Sequence, residues 1–191
     1  MTAHPFLIVD KATFYRFVAD APEGHRFEFV RGRIVHAMTG ATYDHGQISL
    51  RAAMIVGRQL DPKQWAVSVA DRGVETADTI RYPDIVVERS LGASKSLFTD
   101  APVLIIEVLS QSSGERDLEI KPAEYTSLPS LQAYIVASQD DPVCQVWLRG
   151  ADGKFPPQPV TIEGRDQVIH IPALSVAIPL AEVYRGIGGS Q

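Results

Sequence analysis

The segment Val103-Leu104-Ile105-Ile106-Glu107-Val108-Leu109 constrains this chain more than any other stretch. Apart from one residue it is a run of β-branched side chains and leucine, the pattern of a central strand covered on both faces. Glu107 breaks the run. A carboxylate buried alone is strongly unfavourable, so it must be protonated, paired with a cation or bound to a metal ion.

Tyr82-Pro83-Asp84-Ile85-Val86-Val87 raises the same question. Asp84 heads an apolar strand expected over about 82–87, entered through a proline that the first residues of a strand tolerate. If the two strands are neighbours, alternation puts Asp84 and Glu107 on one face at a common end. Two hard oxygen donors with open positions suit Mg²⁺, which keeps several waters and takes its remaining ligands from substrate phosphate. Each acid also has a plainer reading. Asp84 caps a turn after Pro83, and Glu107 pairs with an arginine in the core.

The rest of the chain supplies partners for these strands. Asp10 is placed to cap a helix over 11–19 with Phe14, Phe17 and Val18 on its apolar side. Phe27-Glu28-Phe29-Val30, the turn Arg31-Gly32 and Arg33-Ile34-Val35 read as a hairpin. Helical period over about 43–60 puts Ile48, Ala52, Ile55, Val56 and Leu60 on one face, stopped by Asp61-Pro62. Strands are expected at 65–69, 131–137 and 143–148, the last two joined through Asp140-Asp141-Pro142. A charged helix is expected at about 115–127, and Pro122 is tolerated there if the helix starts near Ile120. Beyond Gly150 the pattern is turn-rich and strand-like, ending in a short helix near Ala181–Tyr184. Helices around a mixed sheet give an α/β (α+β) class. With 191 residues and no repeat or linker, one domain over 1–191 is expected.

Composition narrows the chemistry. Eighteen basic and 23 acidic side chains give a net charge of −5, with the excess in residues 101–191, which hold 6 basic against 11 acidic groups. Tight nonspecific DNA binding through counterion release is disfavoured by such a balance. Arg26, Arg31 and Arg33 form either a small phosphate-binding cluster or a solvated hairpin edge. A single cysteine, Cys144, excludes an internal disulfide and is expected as a small buried hydrophobe. The five histidines, at 4, 25, 36, 45 and 170, show no metal-ligand spacing on a helix face. His45, at a helix start, is a possible phosphate contact that the pattern alone does not single out. No nucleophile elbow, phosphate loop, dinucleotide fingerprint or HExxH sequence is present. No apolar run approaches the roughly 20 residues of a membrane span, and Met1–Pro5 lacks the features of a signal peptide. A cytoplasmic protein with no membrane association is expected.

The block Arg-Tyr-Pro-Asp-Ile-Val-Val-Glu (81–88), Leu-Ile-Ile-Glu-Val-Leu-Ser-Gln-Ser-Ser (104–113), Asp117-x-x-x-Lys121-x-x-x-Tyr125 and Leu128-Pro129-Ser130-Leu131-Gln132-Ala133-Tyr134 resembles the Uma-type restriction-endonuclease family of the PD-(D/E)xK nuclease superfamily. The opening hairpin and the closing segment 172–184 extend the resemblance over nearly the whole chain. It implies a restriction-endonuclease-like mixed β-sheet flanked by helices, around a divalent-metal site.

Asp84 then matches the first metal-binding acid and Glu107 the second, with Mg²⁺ or Mn²⁺ as the ion. Leu109 stands where the superfamily lysine usually sits, and Lys121 matches the family's replacement from the following helix. Glu28 matches an acidic position of the hairpin that helps hold an ion or place the water. Asp117 is expected as a helix-start acid. The implied activity is metal-dependent phosphodiester hydrolysis of nucleic acid, DNA ahead of RNA, by a protein compatible with a homo-oligomer such as a dimer. The competing reading is a catalytically inactive nuclease fold kept as a binding, regulatory or oligomeric module. A ligand-binding all-β barrel is disfavoured by the helical stretches.

Overall fold

The computed structural model describes residues 8–37, 40–92, 94–109 and 114–187, with the backbone alone over 114–119. Met1–Pro5, Ser112, Ser113 and the side chain of Asp117 lie outside the described set. Helix α1 (Lys11–Ala19) starts at Asp10, whose carboxylate accepts from the Thr13 amide at 2.7 Å. Strands β1 (Phe27–Val30) and β2 (Arg33–His36) form the expected hairpin. Its two turn residues, Arg31 and Gly32, both have left-handed backbones, with φ of 48° and 81°. Two positive φ values mark the two-residue turn whose twist matches the flanking strands. Arg31 is an unusual occupant; its amide donates to the Asp78 carbonyl at 2.8 Å, which holds it there.

Helix α2 (Tyr43–Gly57) is capped by Thr42 and ends three residues before the expected stop, although Leu60 remains buried. Strands β3 (Trp65–Val69), β4 (Gly73–Glu75), β5 (Thr79–Arg81), β6 (Ile85–Arg89), β7 (Phe98–Thr99) and β8 (Pro102–Leu109) follow. Then come α3 (Gly114–Thr126), β9 (Ala133–Ser138), β10 (Val143–Leu148), β11 (Val160–Glu163), β12 (Val168–Ile171), a 3₁₀ turn at Pro172–Leu174, β13 (Val176–Pro179) and α4 (Leu180–Val183).

Among the described residues the strands form three sheets. The central one has six strands in the order β11-β10-β9-β8-β6-β3. Only β8 and β9 run parallel there, and α3 makes the crossover between them. A five-stranded sheet, β2-β1-β5-β4-β7, and the ribbon β12-β13 share no ladder with it. Alternation divides the central core. Leu104, Ile106 and Val108 of β8 pack with α2, α4 and β13 on one side, whereas Ile105 joins Val86, Tyr125, Tyr134 and Trp147 on the other. A third cluster, around Phe14, Phe29 and Ile80, fixes α1 on the five-stranded sheet. No helix among the described residues is long and apolar enough to cross a membrane.

The starts of β6 and α3 differ from the sequence expectation for physical reasons. Strand β6 begins at Ile85 because Pro83 has no amide proton to give the ladder, although the Asp84 carbonyl still accepts from the Ala70 amide at 2.8 Å. Helix α3 begins at Gly114, so Pro122 lies in its interior and not in its first turn. The proline removes one helical hydrogen bond; the turn that follows is anchored on the sheet by the fully buried Tyr125.

Candidate active site

Asp84 and Glu107 meet at one end of the central sheet. Strands β6 and β8 pair antiparallel with Ile85 opposite Ile106, so one step further along Asp84 faces Glu107. Both follow the parity of Val86 and Ile105 and therefore share a face. The Asp84 Oδ2 accepts from the Val108 amide at 2.8 Å, which pins the carboxylate against β8. Its Oδ1 lies 2.9 Å from His45 Nε2.

Glu107 is only 2% exposed and has three side-chain donors. Lys121 Nζ donates to Oε2 at 2.9 Å, Tyr125 to Oε1 at 3.0 Å, and Tyr134 to Oε2 at 3.4 Å. Lys121 and Tyr125 stand one helical turn apart on α3, the spacing that lets both reach one point. The cation facing Glu107 is thus a lysine from the crossover helix and not a core arginine. Burial pushes the Glu107 carboxyl above its usual range, Lys121 pulls it back, and the charge of Asp84 adds to the rise. Burial, with Glu107 beside it, also pushes the Tyr125 phenol well up, so it stays a donor.

Asp84, Glu107, Lys121 and His45 line one open cleft of about 380 Å³, together with Thr42, Tyr82 and Gln139. Glu28 is not among its lining residues. Its carboxylate accepts from Arg81 at 3.2 Å and from the Tyr82 amide at 3.4 Å, and Arg81 grips Glu124 of α3 through a two-pronged contact at 2.6 and 3.2 Å. Arg26 is engaged as well, paired with Asp71 at 2.5 Å and lying over the Tyr82 ring. Cys144 is buried against Tyr184, as a small hydrophobe should be.

His45 is the residue that sequence reasoning left aside. It sits in the first turn of α2, where Thr42 accepts from its amide at 3.2 Å and donates to Gln139 at 3.0 Å. The hydrogen bond to Asp84 raises the His45 pKa, against the opposing effect of burial. A histidine with a raised folded pKa stabilises fully below its unfolded value, and loses that contribution as pH rises through the folded one. In metal-free protein, stability is therefore expected to fall as pH climbs through and above the ordinary histidine value of 6.5, and this component is expected to vanish in His45→Gln. Urea midpoints at a series of pH values check it; parallel curves for the two proteins would refute the coupling.

A mixed sheet with helices on its faces, carrying acids at the ends of adjacent central strands, defines a protein of the restriction-endonuclease-like fold. The crystal structure of "a putative nuclease belonging to DUF820" from Anabaena variabilis shares this fold, with a TM-score of 0.69 over 87% of this chain and 94% of that one, at 14% identity. The family model Uma2, described as "Putative restriction endonuclease", matches residues 12–181, and the chain belongs to that family. Two uncharacterized proteins of Synechocystis are similar in sequence. The protein sll1609 is 26% identical over 117 residues, covering 59% of this chain and 66% of that relative, just short of two thirds of its length. The protein slr1290 is 26% identical over 165 residues, covering 85% of each.

Proposed function

We propose that the cleft hydrolyses phosphodiester bonds of nucleic acid, DNA ahead of RNA, with a divalent metal ion held by Asp84 and Glu107. The observation that carries the proposal is the meeting of these two acids and Lys121 on a single cleft at the end of β6 and β8. The donor set suits Mg²⁺ or Mn²⁺, because two carboxylates stand side by side, and Glu107 Oε1 and both Asp84 oxygens each hold one hydrogen bond, which leaves each a lone pair for an ion. Among the described residues no group of three or more His, Cys, Asp or Glu side chains could hold a metal. The remaining ligands therefore fall to water and substrate oxygens, as is usual for Mg²⁺. When bound, the ion would polarise the scissile phosphate and lower the pKa of a water.

The chain's own groups supply the rest. Lys121 orients the attacking water or offsets charge growing on the phosphate. The Val108 amide and His45 hold Asp84 in its rotamer. Glu28 acts at a distance, steadying Tyr82 and hence the segment that presents Asp84. The setting would be the cytoplasm.

Purified protein incubated with plasmid, single-stranded DNA and RNA, in Mg²⁺, in Mn²⁺ and in EDTA, tests the proposal. Cleavage with metal, its absence in EDTA and its loss in Asp84→Asn are expected. The inactive binding-module reading draws on the full set of protein donors already around Glu107 and on the net charge of −5. It prevails if no substrate is cut and neither metal raises the melting temperature.

A further inference from the structure

Helix α2 buries one side and leaves the opposite side to solvent. Ile48, Ala52, Ile55 and Val56 are buried within the main core. On the far side Tyr43, Leu50 and Met54 are 76%, 49% and 63% exposed. Their spacing of seven and four residues keeps them within about 40° of one another around the helix axis. A surface helix ordinarily shows polar side chains there, and an apolar stripe opposite the core marks a contact surface.

The two ends of this helix differ in sign. Asp44 lies in the first turn, Arg51 near the middle, and Arg58 caps the C-terminus, where it pairs with Glu182 at 2.8 Å and has Arg185 close by. Arg51, Met54, Arg58, Glu182 and Arg185 line a notch of about 190 Å³ next to the stripe. The helix thus carries an exposed aromatic knob at its acidic end and a notch at its basic end.

We propose that α2 pairs antiparallel with α2 of a second copy of this chain about a two-fold axis, each Tyr43 entering the notch of the other copy. Setting Tyr43 against Arg58 of the second copy puts the axis beside Leu50 and brings Gln47 against Met54. The pairing is self-complementary, as a two-fold interface requires. It lays the acidic start of each helix on the basic end of the other, opposes the two helix dipoles, and offers each Tyr43 ring an arginine face. One helix pair buries on the order of 1,000 Å², the low end for a specific interface, so a micromolar dimer is expected.

Sedimentation of the full chain should show a monomer–dimer equilibrium in the micromolar range. Met54→Glu, at an exposed position, should raise the dissociation constant roughly tenfold or more, with unchanged circular dichroism and melting temperature. The register is read with a short bismaleimide. Leu50→Cys lies near the axis and should cross-link to a covalent dimer. Tyr43→Cys should not, because 15 helical residues hold its two copies about 20 Å apart. Cys144 is buried and does not compete. A wild type that stays monomeric throughout that range overturns the proposal. So does a Met54→Glu variant that dimerises like the wild type, or cross-linking as efficient at position 43 as at position 50.

Discussion

Glu107→Ala is expected to abolish metal-dependent cleavage and to lower the unfolding free energy by about 3–5 kcal/mol, the usual cost of removing one partner from a buried ion pair. Lys121, 14% exposed in its side chain, would lose the carboxylate 2.9 Å away. Two buried phenols, Tyr125 and Tyr134, would each lose one acceptor in the same step. The loss of turnover should reach at least about 10²–10³-fold, the scale on which positioned charge acts in a water-poor site. Glu107→Gln separates the two effects. It keeps an oxygen for Tyr125 and nearly the same volume, so it should retain more of the stability while losing the activity. Urea unfolding and plasmid cleavage on the same preparations check both. An alanine variant as stable as the wild type would show that the Lys121 pair has no structural weight.

Arg81→Ala should destabilise the fold by a similar amount, about 3–5 kcal/mol, from a position outside the cleft. The guanidinium is 12% exposed and joins Glu124, 8% exposed, to Glu28, 19% exposed. Its loss leaves two carboxylates of like charge with little solvent between β1 and α3. Arg81→Lys should recover only part of the loss, because an ammonium cannot reproduce the two-pronged contact with Glu124. Glu28 also accepts from the Tyr82 amide, so slackening it should weaken metal binding through Asp84. Melting curves with and without Mg²⁺ measure both consequences. If Glu28→Gln left stability unchanged and abolished the metal response, Glu28 would be a ligand and not a brace.

The strand around Glu107 was legible because a run of branched residues with one carboxylate has few structural explanations. Its partnership with Asp84 followed from alternation once the two strands were taken as neighbours. The Arg31-Gly32 turn was visible for its glycine, and α2 for its period. What the residues alone could not supply was contact at long range. His45 meets Asp84 across 39 positions, and a histidine in a helical first turn carries no local mark of such a partner. Lys121 entered only through the family resemblance, since a lysine on a charged helix ordinarily faces water. Strands β4, β5 and β7, of two or three residues, are too short for alternation to register. Glu28 was visible as an acid in a hairpin, but its arginine lies 53 residues away.

The crossover from β8 through α3 to β9 supplies Glu107, Lys121, Tyr125 and Tyr134 from one continuous piece of chain, while His45 and Asp84 come from the piece before it. The cleft is therefore a seam between an earlier and a later part of the polypeptide. During synthesis, a chain that has emerged only as far as Arg89 carries an acid and an imidazole with nothing opposite them. The β6–β8 ladder, and with it the pairing of the two carboxylates, closes only after the second piece has left the ribosome and folded. Whatever chemistry the cleft performs, an unfinished chain cannot perform it.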